Sequence, residues 1–253
     1  MSRTSISDDV TYPKFCELAS TEETTFNTFR TNIAYQPILE HVTKNEGQNY
    51  LDLVKTNNPE LLKNLNKYKT NDNIGAPNKE QYKEGYFSPT TLRYIKVLSD
   101  LINEFGSLDG LHIVEIGCGY GGQSKIIMDT FNIDSYTLID LPSVLGLCKK
   151  YLNSFDLPHA NIHYKTMDEL KGDKYDITIS NYAFTECNKE VQSTYINKVL
   201  LNSDKGYLTA NFINHIFNID YHSKDELLKI IPGSYVVDET PNTHKDNCII
   251  LWK

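Results

Sequence analysis

The stretch Ile113-Val114-Glu115-Ile116-Gly117-Cys118-Gly119-Tyr120-Gly121-Gly122 constrains this chain more than any other. Its apolar, β-branched first half reads as a buried strand, and the glycines after it read as a tight turn that opens a helix. Glycine there takes positive φ and lets backbone approach a ligand closely, while the N–H groups of the helix start face the same spot. A nucleotide-like cofactor is expected over such a turn. Gly117, Gly119 and Gly122 satisfy the G-x-G-x-x-G spacing of dinucleotide-binding turns, a weak pattern by itself. Glu115 separates the alternatives. A strand feeding an NAD turn is usually apolar to its end, whereas a carboxylate just ahead of the first glycine suits a ligand with cationic groups. The amino acid moiety of S-adenosylmethionine is one.

The segments around this turn alternate between strand and helix. Ser88-Pro89 starts a helix with Leu92, Ile95, Leu98, Leu101, Ile102 and Phe105 on one stripe, and Gly106 ends it. A strand over 111–116 leads through the turn into a helix near 122–131, and Tyr136 to Ile139 forms a strand ending at Asp140. Pro142 opens a helix whose Val144, Leu145, Cys148, Tyr151, Leu152 and Phe155 share a face. Strands follow near 161–164, 175–180 and 206–212, with a helix near 189–201. This alternation predicts a parallel, doubly wound sheet. Ser223-Lys224-Asp225-Glu226 is a capping box for a short helix that Pro232-Gly233 stops. After it, Tyr235 to Asp238 and Cys248 to Trp252 read as strands joined by a turn-rich loop, which should pair antiparallel. A reversed final strand is the hallmark of the class I methyltransferase sheet. The predicted fold is therefore α/β and Rossmann-like, with a seven-stranded, mostly parallel sheet, an antiparallel last strand and an N-terminal helical extension.

The N-terminal third differs in character. Phe26, Phe29 and Ile33 recur at helical spacing before Pro37, and Asn58-Pro59-Glu60 caps a short helix carrying Leu61, Leu62 and Leu65. Lys69 to Gly85 is polar and turn-rich and reads as a mobile loop. The division expected is a helical cap or lid over residues 1–87 and a methyltransferase domain over 88–253.

Composition narrows the partners. A net charge of -8 and a pI of about 5.4 argue against a sequence-independent grip on nucleic acid, which needs clustered Lys and Arg. The five cysteines are scattered and form no C-x-x-C pair, as expected of thiols in a reducing compartment. No apolar run approaches the roughly 18 residues of a membrane span, and the first residues lack the apolar core of a signal peptide. A cytoplasmic protein with no membrane association is expected. Its oligomeric state is open, a homodimer being one option.

Several residues stand where this fold places its chemistry. Asp140 ends the second strand about 20 residues beyond the turn, where a carboxylate accepts both ribose hydroxyls of an adenosine; it can also cap the helix opened by Pro142. Leu141 follows it. Met167 and Asp168, after the third strand, suit packing on adenine and accepting its amino group. Tyr120 and Gln123 flank the turn and are candidates to reach the cofactor. Asn181 and Tyr182 end the fourth strand and should face the transferred methyl. The (Asp/Asn)-Pro-Pro-(Tyr/Phe) segment of base-modifying nucleic-acid enzymes is missing there. Asn181 stands where metal-dependent catechol enzymes need an aspartate, and no carboxylate or His set with metal spacing accompanies it, so no metal is expected. Methyl transfer to a hydroxyl is an in-line displacement aided by a base that takes the proton. His215 and Glu186 are the candidate bases, with Tyr182 a third catalytic candidate; His244 and Glu239 are weaker ones.

Four separated blocks also resemble a family. Phe87-Ser88-Pro89-Thr90-Thr91-Leu92-Arg93-Tyr94, the run Val114 to Gln123, Leu138-Ile139-Asp140-Leu141-Pro142 and Ser180-Asn181-Tyr182-Ala183-Phe184 resemble sugar O-methyltransferases of surface-polysaccharide gene clusters. The resemblance covers roughly residues 70–253. It implies a sugar or nucleotide-sugar hydroxyl as acceptor, S-adenosylmethionine as cofactor and a place in polysaccharide biosynthesis. Cys118 stands where the family has a third glycine, and Thr185-Glu186-Cys187 where it has Ser-Glu-Leu, departures that bear on pocket shape. Arg93 is a candidate for the cofactor carboxylate, the alternative being an exposed helix arginine. Competing functions are an NAD-dependent sugar dehydrogenase, a methyltransferase with a non-sugar small-molecule acceptor and a non-catalytic binding module. For the dehydrogenase, no Tyr-x-x-x-Lys pair of the short-chain type is apparent.

Overall fold

The structure is a computed structural model that describes residues 4–5, 10–157 and 161–253, the side chain of His215 excepted. Its N-terminal third holds α1 (Thr11–Thr21), α2 (Glu23–Phe26), α3 (Gln36–Leu39), α4 (Lys44–Asn57) and α5 (Leu65–Tyr68), linked by 3-10 turns. A hairpin of β1 (Glu80–Tyr82) and β2 (Gly85–Phe87) leads into α6 (Pro89–Phe105). There follow β3 (His112–Ile116), α7 (Gly122–Met128), β4 (Ser135–Ile139), α8 (Pro142–Leu152), β5 (Asn161–Lys165) and β6 (Tyr175–Asn181). The chain ends with α9 (Ala183–Glu186), α10 (Lys189–Lys198), β7 (Ser203–Asn211), α11 (Lys224–Ile230), β8 (Tyr235–Val237) and β9 (Asn247–Trp252).

Seven strands form one sheet in the order β5-β4-β3-β6-β7-β9-β8. Neighbours from β5 to β7 pair parallel, and β9 runs antiparallel to both β7 and β8. The expected Rossmann-like methyltransferase sheet with a reversed last strand is thus what the chain forms. The direction of winding switches between β3 and β6, so a crevice opens above the carboxyl ends of those two strands. The glycine turn and the Asn181–Tyr182 step are both delivered to it.

Both faces of the sheet are covered. One core includes Ile113, Tyr136, Leu138 and Ile177 together with Leu98 of α6, Ile126 of α7 and Leu147 of α8. Tyr12, Phe29, Tyr35, Leu51, Val54 and Tyr68 of the N-terminal third belong to the same cluster. The other face packs Val114, Ile116 and Leu208 against Ile196, Leu227 and Trp252. Start and stop chemistry is visible in α6: Ser88 Oγ accepts from Thr91 N at 3.3 Å, Pro89 occupies the first turn, and Gly106 ends the helix with φ +78°.

Two local expectations are corrected. Phe26, Phe29 and Ile33 do not share one helix: α2 stops at Phe26, Phe29–Thr31 is a 3-10 turn, and Ile33 is 87% exposed. Asn32 Oδ1 accepts from Ala34 N at 2.9 Å, and this side-chain turn competes with helix continuation. Lys69 to Gly85 is not an irregular loop, for it contains the 3-10 turn Lys69–Asn73 and most of the hairpin. Asn71 and Asp72 are buried, because their polar atoms meet Arg30. Arg30, itself fully buried, places Nη1 3.0 Å from Asn71 O and 3.2 Å from Asp72 Oδ1, Nε 2.6 Å from Glu40 Oε1 and Nη2 3.0 Å from Ser88 Oγ. Asp72 Oδ2 in turn accepts from Ser88 N at 2.7 Å. The knot ties the N-terminal helices to the start of α6.

Candidate active site

The turn after β3 is built by backbone bonds to the end of β4. Gly117 N and Cys118 N donate to Ile139 O at 2.8 and 3.3 Å, and Gly119 N donates to Asp140 Oδ2 at 2.9 Å. Gly117, Gly119 and Gly121 have φ of +74°, +53° and +89°, the left-handed region that side chains disfavour. Gly117 is doubly constrained, since a Cβ there would stand 2.0 Å from Ala183 Cβ. Gly117→Ala is therefore expected to destabilise the protein by about 3 kcal/mol through strain and overpacking together. A urea melt showing a change under about 1 kcal/mol would contradict this tight seating of the turn on α9.

The crevice holds a cavity of about 420 Å³. Of the residues singled out by sequence, Glu115, Gly117, Gly119, Gln123, Asp140, Asn181, Tyr182, Glu186 and Arg93 all line it, as does His244. Leu141, Met167 and Asp168 lie outside its wall: Leu141 is 45% exposed, Met167 packs on the second core, and Asp168 is exposed. Tyr120 is a correction. Its side chain is buried away from the cavity, with the Tyr151 ring 4.8 Å and the Phe29 ring 5.5 Å distant and the Arg30 guanidinium 4.9 Å above it. It points into the core shared with the N-terminal third, where Phe29 and Tyr35 of that third and Tyr151 of α8 supply ring partners. His215 sits in the 3-10 turn Asn214–Phe217, and its side chain lies outside the described residues.

The two carboxyls nearest the turn are held in unusual states. Glu115 is 2% exposed, and Tyr136 Oη donates to its Oε2 at 2.8 Å. Burial raises its pKa to about 8, the Tyr136 bond offsets part of the rise, and the nearby Asp140 charge adds to it. Asp140 is pushed up to about 6 by burial against the opposing pull of Leu141 N and Gly119 N, which donate at 2.8 and 2.9 Å. Gln123 Nε2 donates to Tyr94 O at 3.1 Å, while its Oε1 has no partner among the described residues. The cluster thus presents carboxyl and amide oxygens ready to charge or to pair when a cationic, hydroxyl-bearing ligand arrives.

The opposite side is built by β6 and β7. Tyr182 takes φ +67°, held by its N–H on Thr209 O at 2.7 Å. Its hydroxyl donates to Glu239, a buried carboxylate that also accepts from Thr243 N at 2.9 Å, Thr243 Oγ1 at 2.6 Å and Asn247 Nδ2 at 3.1 Å. Glu186 accepts from Asn211 Nδ2 at 2.8 Å, and burial raises its pKa despite that bond. Sequence reasoning missed His41, Glu46, Tyr50 and Tyr94 of the wall. The first three come from the N-terminal third and belong to no motif; Tyr94 closes the first of the four family-like blocks, next to Arg93.

Among the described residues, no group of three or more His, Cys, Asp and Glu could hold a metal ion, and no helix is long and apolar enough to cross a membrane.

No protein-family model matches the chain. It is similar to a non-reducing polyketide synthase of Penicillium brasilianum, 29% identical over an alignment of 107 residues that covers 38% of this chain and 4% of the synthase. It is also similar to malonyl-[acyl-carrier protein] O-methyltransferase of Acetivibrio thermocellus, 27% identical over an alignment of 154 residues that covers 54% of this chain and 51% of that protein. The chain thus spans about half, or far less, of the curated relatives it matches. Among solved structures it is similar to magnesium protoporphyrin IX methyltransferase of Synechocystis PCC 6803, with 16% identity, a TM-score of 0.48, and coverage of 83% of this chain and 96% of that one.

Proposed function

We propose that this chain is an S-adenosylmethionine-dependent O-methyltransferase whose acceptor is a hydroxyl of a sugar, as a nucleotide sugar or a glycan. One observation carries the reading: buried Glu115, the positive-φ glycines and Asp140 converge on one cavity wall at the switch point of the sheet. The cofactor would supply an activated methyl on a sulfonium. Glu115 and the unpartnered Gln123 Oε1 suit its ammonium, Asp140 suits its ribose hydroxyls, and the glycines leave room for its tail. Asn181, Tyr182 and Glu186 border the acceptor side. The acceptor hydroxyl would take that methyl in line with the departing sulfur, which would keep the bonding pair, and would lose its proton to a base. Glu186 stands in the wall for that role; His215 belongs to the segment whose Ile213, Ile216 and Phe217 line the mouth. Ile38, Leu39, His41 and Val42 roof the cavity from the N-terminal side, which supports a cap role for that third.

The name of the Acetivibrio relative supports oxygen as the methylated atom. The sugar rests on the four-block resemblance. Calorimetry with S-adenosylhomocysteine and with NAD tests the cofactor: binding of the first and not the second is expected, and the reverse would favour the dehydrogenase. Mass spectrometry of nucleotide sugars and glycans incubated with a labelled methyl donor tests the acceptor. One labelled methyl on a sugar oxygen is expected, and label only on other small molecules would remove the sugar.

A further inference from the structure

We infer that Arg93 anchors an oxyanion of the acceptor, so that the molecule methylated carries a carboxylate or a phosphate. This rests on the methyl-transfer reading of the same cavity. Arg93 lies in the first turns of α6 and is 7% exposed, yet its Nε has no hydrogen-bond partner and it forms no ion pair among the described residues. Its guanidinium lies 5.7 Å from the Tyr94 ring centroid and 6.0 Å from that of Tyr182. Arg30 shows how this fold treats a buried guanidinium that serves the architecture, for two carboxylates, a carbonyl and a hydroxyl surround it. A guanidinium cannot shed its proton to escape burial, so an unpaired one is a standing cost that an anionic ligand would offset.

The position selects which ligand. Arg93 also lines a smaller cavity with Tyr50, Asn181, Tyr182, Thr209 and Glu239, and none of Glu115, Gly117, Gly119 or Asp140 borders that one. Arg93 therefore faces the β6 and β7 side of the crevice, across β3 from Asp140. Its place beside Asn181, Tyr182 and Thr209, away from the glycine turn and Asp140, sets Arg93 against the acceptor rather than the cofactor carboxylate. Local charge agrees: the described lining of the main cavity offers Glu46, Glu115, Asp140 and Glu186, and Arg93 as its one permanent cation. In a chain of net charge -8, an acidic acceptor needs such a fixed point to enter at all. An acidic sugar or a nucleotide sugar meets the requirement; a neutral glycan does not.

The test is calorimetry on protein saturated with S-adenosylhomocysteine, titrated with acetate and separately with inorganic phosphate. At least one anion should bind the wild type, bind Arg93→Met about tenfold or more weakly, and bind Arg93→Lys at an intermediate level. Homocysteine-product affinity should stay within about twofold in both variants. Acetate alone would assign a carboxylate, and phosphate alone a phosphoryl group. The inference is overturned if neither anion binds the wild-type complex, if anion binding survives Arg93→Met, or if that variant loses its product affinity instead. Should Arg93→Met not fold, Arg93→Gln replaces it in the same comparison. A wild type that fails to bind S-adenosylhomocysteine would sink the methyl-transfer reading itself, an outcome distinct from all of these.

Discussion

Glu115→Gln is expected to weaken S-adenosylhomocysteine binding by about 30- to 100-fold while making the free protein more stable at pH 8. A charge-assisted hydrogen bond to a ligand ammonium contributes about 2–3 kcal/mol, and glutamine keeps the Tyr136 bond but lacks the charge. The stability gain follows from linkage. Glu115 has a folded-state pKa of about 8 against an ordinary value of 4.5, so between these values the unfolded chain releases a proton that the folded one keeps. Wild type therefore loses stability as pH rises from about 4.5 through about 8, by about 4–5 kcal/mol at the upper end. The glutamine variant escapes that loss, and its advantage should vanish near pH 4.5. The same carboxyl makes cofactor affinity pH-dependent in wild type. It must ionise to pair with the ammonium, so affinity should climb with pH up to about 8 and then level off, a climb absent from Glu115→Gln. Urea midpoints and calorimetric titrations across this range measure both arms. Wild-type affinity in the variant would remove Glu115 from the cofactor site.

Arg30→Met should lower stability by about 3–5 kcal/mol, because it strands two buried carboxylates. The side chains of Glu40 and Asp72 are 5% and 2% exposed, and each loses its cation. In a protein of this size that is a fall on the order of 10 °C in melting temperature. Methionine keeps most of the aliphatic volume, so the loss reports the charge rather than a cavity. Its pH dependence gives the second reading. Burial already raises the Glu40 pKa against the pull of Arg30, and removing that pull raises it further. The stranded carboxyl can then take up a proton in acid, so the deficit should be smaller at about pH 5 than at pH 7. Thermal melts at the two values decide this. A loss below about 1 kcal/mol, or a deficit that grows in acid, would show that the knot does not hold the N-terminal helices to α6.

Both variants probe features that differ in how far the sequence announces them. Glu115 sits inside a run whose local chemistry allows little else: an apolar strand, then glycines at positive φ. A strand expected over 111–116 forms as His112–Ile116, and one expected from Tyr136 to Ile139, ending at Asp140, forms as Ser135–Ile139. The reversed last strand was equally legible, because two strand-like runs without a helix between them have no parallel route. Arg30 carries no such local mark. Its partner Asp72 lies 42 residues away, in a segment whose polarity reads as solvent exposure until the guanidinium is placed beside it.

Periodicity and turn chemistry are properties of neighbours along the chain, so the residues alone determined the sheet, its reversal and the carboxylates at the ends of β3 and β4. Burial depends on what distant segments bring. Only the tertiary structure decided that Tyr120 turns inward, that Asn71 and Asp72 are core, and that Arg93, an exposed helix arginine on the alternative reading, is enclosed beside Tyr182 with its Nε unpartnered among the described residues.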